Sequence, residues 1–430
     1  MVKRFANHFL SRFFAGIIFL GYLHCASAQN KNPGSEKKTP EKSAQAKESP
    51  EHTGANKSAP NMIQEMEERE FADLAMHHVK GPLDMNVLSS NEGIGENLKK
   101  GEHRILIPIG GQLPIECVLI EGNQSPSYIS KNLFEKIKGN KEFAQVQIKK
   151  VSSGVLSKIS YLFLETEYIT NEKQYGSMKS ASLSSAGFVL TCFHDEVGYQ
   201  KTFLKAVESL AASSVIQGFL TRISRYTSRH INIIKINDNY VGVMENFVFE
   251  TNENTVNYYS ITNMLTPASS TELIAGESVD DVLIDKSTAF INAAKYYSYK
   301  NNNEEYLVDL KDVGQGKYKI DGTHHGQKID EAVDSPSKIM HFEFIANKMF
   351  SDSKFRNKSN FQFYEYLAND PLKAFESKIT IKSFTQKLLN FTYSSPHAIM
   401  DVEVDHAGIS LVKMKGGKDT TITIERVFAE

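Results

Sequence analysis

The chain of 430 residues has no tryptophan, only three cysteines and no charge excess of either sign. Three cysteines are too few for a disulfide-dense miniprotein. With 49 Lys+Arg against 51 Asp+Glu the formal net charge is −2, so no basic surplus exists to neutralise phosphates, and a simple nucleic-acid binder is excluded. Motifs for common chemistries are missing as well. There is no P-loop and no Gly-x-Ser-x-Gly, and Gly93-Ile94-Gly95 lacks the third glycine of a dinucleotide fingerprint. None of the zinc spacings HExxH, CxxC or HxH occurs. Ser-x-x-Lys is found at Ser35, Ser335 and Ser351, but its companions Ser-Asp-Asn and Lys-Thr-Gly are not. No cofactor is implied.

What the chain does have is an address. Lys3, Arg4 and Arg12 precede an apolar run from Phe13 to Leu23, which closes on Ala26-Ser27-Ala28. A basic start, a short apolar core and a small-x-small ending make residues 1–28 an export signal, with Gln29 as the mature start. A spanning helix needs about 18–20 apolar residues, more than this run supplies. Leu23-His24 ahead of Cys25 also departs from the small residues of a bacterial lipoprotein signal. Cleavage removes three basic residues and takes the formal charge to −5 from the −2 of the whole chain. No later segment is apolar for long enough to cross a bilayer, so the mature chain is expected to be periplasmic or secreted, without a transmembrane segment.

Residues 29–60 contain no Val, Ile, Leu, Met or aromatic residue, and they carry Pro33, Pro40, Pro50 and Pro60. Such a stretch cannot bury enough apolar surface to offset its ordering entropy and reads as a disordered Pro/Lys/Glu-rich tether. The remainder, at roughly 150 residues per domain, suits two α+β domains at 61–265 and 276–430, divided by TPASSTELIAGES at 266–278.

In the first domain, a capped helix is expected from Asn61 to Lys80 and another over Tyr128–Lys138, ending at Gly139. Apolar runs predict strands at Arg104–Ile109, Leu113–Ile120, Phe143–Val151, Ile159–Ile169 and Gly187–Phe193. A long amphipathic helix is read over Thr202–Arg225, and hairpins around Asn237-Asp238-Asn239 and Asn252-Glu253-Asn254. The second domain is expected to be helical over Ser278–Tyr299, from Ser335 to Phe350, and at Phe361–Ala368 and Pro371–Leu389. A hairpin at Tyr306–Val313 and Lys317–Asp321 interrupts these helices, and a C-terminal antiparallel meander follows at Ala398–Val404, Ile409–Lys415 and Thr420–Val427.

Cys117 and Cys192 are the cysteines left after cleavage, and in an oxidising compartment they can form one intramolecular bridge. Closing a loop of that length contributes roughly 4 kcal/mol in the chain-entropy model. His194, Asp195 and Glu196 place an imidazole beside carboxylates at a strand end, where general acid/base groups often project, although strand neighbours face opposite ways. His324 and His325, with Asp321 and Asp330 nearby, form the densest His/Asp cluster, equally well explained as a polar turn. Asp401, Glu403 and Asp405 would share one strand face. Tyr258-Tyr259, Tyr296-Tyr297-Tyr299 and Phe361-Phe363-Tyr364-Tyr366 supply aromatics for a core or a partner. Together these features predict an exported, non-enzymatic binding or structural protein with an envelope or protein partner. The alternative is a secreted hydrolase, with or without a metal ion, using His194 or His324/His325.

Overall fold

The structure, a computed structural model, describes residues 74–79, 85–90, 95–99, 102–109, 113–121, 124–185, 188–212, 226–356, 359–416 and 420–430. The expected signal at 1–28 and the expected tether at 29–60 lie outside them. Twenty-three strands and four short helices make up the described residues. A ribbon pairs β1 (Ala75–Val79) with β2 (Met85–Ser89). A seven-stranded sheet is built from β3 (Gly95–Lys99), β4 (Glu102–Ile107), β5 (Ile115–Glu121), β6 (Phe143–Leu156), β7 (Ile159–Thr170), β8 (Tyr175–Ser185) and β9 (Phe188–Asp195). Its spatial order is β3-β4-β5-β9-β8-β7-β6.

The larger sheet has fourteen antiparallel strands. Eight come from an unbroken meander: β10 (Tyr226–Ile236), β11 (Asn239–Glu250), β12 (Thr255–Ser269), β13 (Glu272–Asp285), β14 (Ile291–Lys300), β15 (Asn303–Gly314), β16 (Lys317–His324) and β17 (Gln327–Asp334). Six more follow: β18 (Asn360–Tyr366), β19 (Ala374–Phe384), β20 (Leu389–Ser394), β21 (Ile399–Asp405), β22 (Gly408–Lys415) and β23 (Thr421–Ala429). The final strand returns to pair with β10, which joins the two meanders into one sheet. Several turns are two-residue links with both residues at positive φ, as at Asn237-Asp238 and Asn301-Asn302. Asn and Asp tolerate that region, and the resulting turn follows the natural twist of the strands.

The segment after β17 closes the sheet on itself. Ile291 N–H donates to Ile339 O, His341 N–H to Ala289 O, and Met340 N–H to Tyr364 O of β18. Residues 339–341 are therefore hydrogen-bonded to the start of β14 on one side and to the β18 edge on the other. Helix α3 (Phe342–Ser351) then packs inside, where Phe342, Ile345, Ala346 and Met349 join Phe391, Val402, Val412 and Ile424 in one core. A short helix α4 (Ser353–Arg356) follows it. Helix α2 (Gln200–Ala211) covers the seven-stranded sheet with Phe203, Val207 and Leu210. Helix α1 (Pro126–Lys138) is wedged between the sheets, its Phe134 and Ile137 meeting Leu162 and Leu164 on one side and Leu265, Leu273 and Ala275 on the other.

The α+β expectation is thus corrected to a mostly β architecture. The expected helix at Ser278–Tyr299 is β13 and β14 (Asp285–Ile291 turn between them). Asp285 fixes that turn: its Oδ1 accepts from the backbone N–H groups of Ser287 and Thr288 at 2.9 Å each. Phe361–Ala368 and Pro371–Leu389 supply β18 and β19 rather than helices. The second domain is therefore not helical; α3 and α4 are its only described helices, and α3 starts at Phe342, beyond the expected Ser335-Pro336 opening. The long helix at Thr202–Arg225 ends at Ala211, and 213–225 lie outside the described residues. Where described, the expected helix from Asn61 to Lys80 is strand β1. Residues 266–275 complete the β12–β13 hairpin, with Leu265 opposite Ala275 and Thr266 opposite Ile274, and the large sheet draws strands from both sides of them.

Candidate functional site

Cys117 on β5 and Cys192 on β9 stand directly opposite each other across an antiparallel pair and are joined as a disulfide, with Cα atoms 4.0 Å apart. Both are fully buried, in the same core as Ile105, Ile115 and Phe203. The pairing follows from register, since β9 folds back beside β5 only after β6–β8 have been laid down along it.

His194 closes β9 two residues after Cys192. Its imidazole is buried, with Nε2 at 3.2 Å from Leu113 O and 3.5 Å from Glu196 Oε2. Burial first, and then the Lys179 ammonium, push its pKa down to about 4 against the weaker pull of Glu196, so the ring is neutral at pH 7. Asp195 points to the other face and accepts the Tyr168 hydroxyl at 2.6 Å. The strand alternation anticipated from sequence separates the pair.

His324 ends β16 with Nε2 at 3.1 Å from Asn369 O, and burial followed by the His325 charge holds its pKa below the ordinary range. His325 occupies a left-handed turn position at φ +49°, followed by Gly326 at φ +75°. The two rings lie 4.3 Å apart, centroid to centroid. Asp330 stands across from Asp321 but is 3.2 Å from Lys319 Nζ. His194 sits in the seven-stranded sheet and His324/His325 in the fourteen-stranded one. Among the described residues no group of three or more His, Cys, Asp or Glu is arranged to hold a metal ion. The acidic strand is likewise occupied: Asp401 accepts from Lys382 at 2.5 Å and Thr392 at 3.0 Å, and Asp405 pairs with Arg426.

The aromatic pairs divide between faces. Tyr258 and Tyr296 point into the large sheet's interior, where Tyr296 stacks on Tyr366 at 5.5 Å. Tyr259, Tyr297 and Tyr299 lie on the opposite face around Val279, and there the Tyr297 hydroxyl donates to Glu277.

Sequence reasoning missed a row of polar residues inside the sheet. Register places His230, Asn246, Ser260, Asp280 and Tyr296 side by side across β10 to β14. Asn246, Ser260 and Asp280 are buried, and Ser260 Oγ donates to Asn246 Oδ1 at 2.8 Å. Each comes from a different strand, so the row exists only once register is known. Helix α3 completes it with Glu343, whose pKa burial pushes up to about 7. The facing Tyr258 hydroxyl is raised by burial, then by the negative charges of Glu343 and Asp280. His230 is pushed down to about 4 by burial and by Arg426. Between helix and sheet lies a cavity of about 20 Å³, lined by His230, Asn232, Asn246, Tyr258, Glu343 and Asn347 among others. Chemically, this assembly presents oxygen acceptors and neutral imidazole to an enclosed space.

No family model and no curated protein matches the chain. Among solved structures, it is similar to a β-barrel-like protein of the domain of unknown function DUF1849 from Brucella abortus. The similarity runs at 9% identity over 48% of this chain and 98% of that chain, with a TM-score of 0.37.

Proposed function

We propose that the chain is exported and works as a non-enzymatic binding or structural protein of the bacterial cell envelope or outer surface. The observation that carries this reading is the Cys117–Cys192 bond: both cysteines beyond the signal are joined to each other in a core. Such bonds persist in oxidising compartments and are rare in a reducing cytosol. The export signal at 1–28 supplies the route, and the tether at 29–60 spaces the folded part from its neighbours. Support for binding rather than catalysis comes from the histidines. His194 lies against a carbonyl inside a core and His324 against another at a turn, so each imidazole is engaged by the backbone.

The test is fractionation of bacteria expressing the complete chain, with thiols trapped by alkylation before lysis. The expected result is a protein in the periplasm or medium whose Cys117 and Cys192 resist alkylation until reduced. A cytosolic protein with both thiols alkylated would overturn the proposal.

A further inference from the structure

The polar row inside the large sheet ends against helix α3 at two buried side chains, the carboxylate of Glu343, which the Tyr258 hydroxyl faces, and the carboxamide of Asn347. Glu343 is 7% exposed, and its Oε1 has no hydrogen-bond partner among the described residues; Asn347 Oδ1 has none either. Four residues apart on one helix, the two side chains share a face. Both line the same cavity, together with Tyr258, Asn232 and Asn246. At about 20 Å³ that cavity holds one guest the size of a water molecule.

Positive charge is what the surroundings lack. Burial keeps His230 neutral at pH 7. Arg426 is engaged by Asp405 and by the carbonyls of Gly408 and Ile409 at 3.1 and 3.3 Å. Lys348, the basic residue of α3 nearest in sequence, lies over the rings of Phe344 and Phe355. Glu343 occupies the first turn of its helix, where the exposed N–H groups favour an ionised carboxylate against the burial that raises its pKa to about 7, so it is mostly charged at pH 8. A buried carboxylate oxygen and a carboxamide oxygen facing one small space call for a guest that is positive on every side.

We propose that this cavity binds a single monovalent cation, Na⁺, K⁺ or ammonium, through Glu343 Oε1 and Asn347 Oδ1, with Tyr258 and Asn232 at its edge. One carboxylate matches one positive charge. A calcium ion would demand six to eight oxygens and usually several carboxylates, which this lining does not supply. The site is independent of where the protein resides.

The experiment is thermal unfolding of the complete mature chain at pH 8, followed by far-ultraviolet circular dichroism. Choline chloride is replaced stepwise by LiCl, NaCl, KCl or NH₄Cl at constant ionic strength. The expected result is a saturable rise of about 2–4 °C with one of the last three salts, beyond anything choline gives. Glu343→Gln and Asn347→Ala should each abolish that increment, while the surface variant Asp401→Asn keeps it. Identical midpoints in all salts for the unsubstituted chain would overturn the proposal, and so would an increment that survives Asn347→Ala. If Glu343→Gln does not fold, the salt series and Asn347→Ala decide the matter by themselves.

Discussion

His194 shows how a single residue changes meaning between sequence and structure. In the sequence it is an imidazole among carboxylates; in the fold it is a buried, neutral hydrogen-bonding group. Its folded pKa of about 4 lies below the ordinary 6.5, so between those values the unfolded chain binds more protons. Stability from this residue is therefore complete above pH 6.5 and is lost as the pH falls toward 4. At about 1.4 kcal/mol per tenfold change in proton affinity, the loss is roughly 3 kcal/mol. His194→Gln should flatten the acid limb of a urea-unfolding profile by about that amount; an unchanged limb would show that the ring is not held neutral. Arg229 makes a second case. It is fully buried between the rings of Phe247 and Phe428 and pairs with Glu245 at 3.0 Å, while Glu245 also accepts Ser160 from the other sheet at 2.5 Å. Arg229→Ala strands a buried carboxylate and should cost about 3–5 kcal/mol by denaturant unfolding. The cysteine pair was legible because only two candidates remained. The polar row around Ser260 was not, because residues far apart in sequence become neighbours only through register.

At the level of elements, strands with strong turn signals were readable, while β13 and β14 were not. Asn237-Asp238 marked the β10–β11 turn, and the C-terminal strands β21 to β23 lie where alternation placed them. By contrast, β13 and β14 are packed on both faces, by the interior core on one and by α1 or the Tyr297 cluster on the other. Burial on both faces erases strict alternation and leaves an apolar density that a helix would also show. Helix α1 was legible from its apolar spacing and terminal glycine, but its role between the sheets was not. Phe134 is fully buried there, so Phe134→Ala should destabilise the chain by about 3–5 kcal/mol in chemical denaturation. A cost near zero would mean that α1 does not seal the two sheets together.

For the molecule as a whole, the C-terminal strand and the middle of the chain are interlocked. The last strand, β23, sits between β10 and β22, at the centre of the fourteen-stranded sheet. Removing residues 421–430 bares the edges of both neighbours, and the truncated chain should be recovered as aggregate rather than as a cooperatively unfolding protein. The disulfide acts at the same scale, tying strands 75 residues apart in sequence. Composition and the N-terminal pattern gave the export reading, whereas closure of the sheet through residues 339–341 left no trace in periodicity, because it is made by backbone hydrogen bonds. The central claim is an exported chain with an oxidised core, and one measurement addresses it directly: the intact mass and N-terminal sequence of the protein isolated from bacteria after thiol alkylation without reduction. Export with an oxidised core predicts a chain beginning at Gln29, carrying no alkyl groups, with Cys117 and Cys192 linked. A chain retaining Met1 and alkylated at both Cys117 and Cys192 would contradict it.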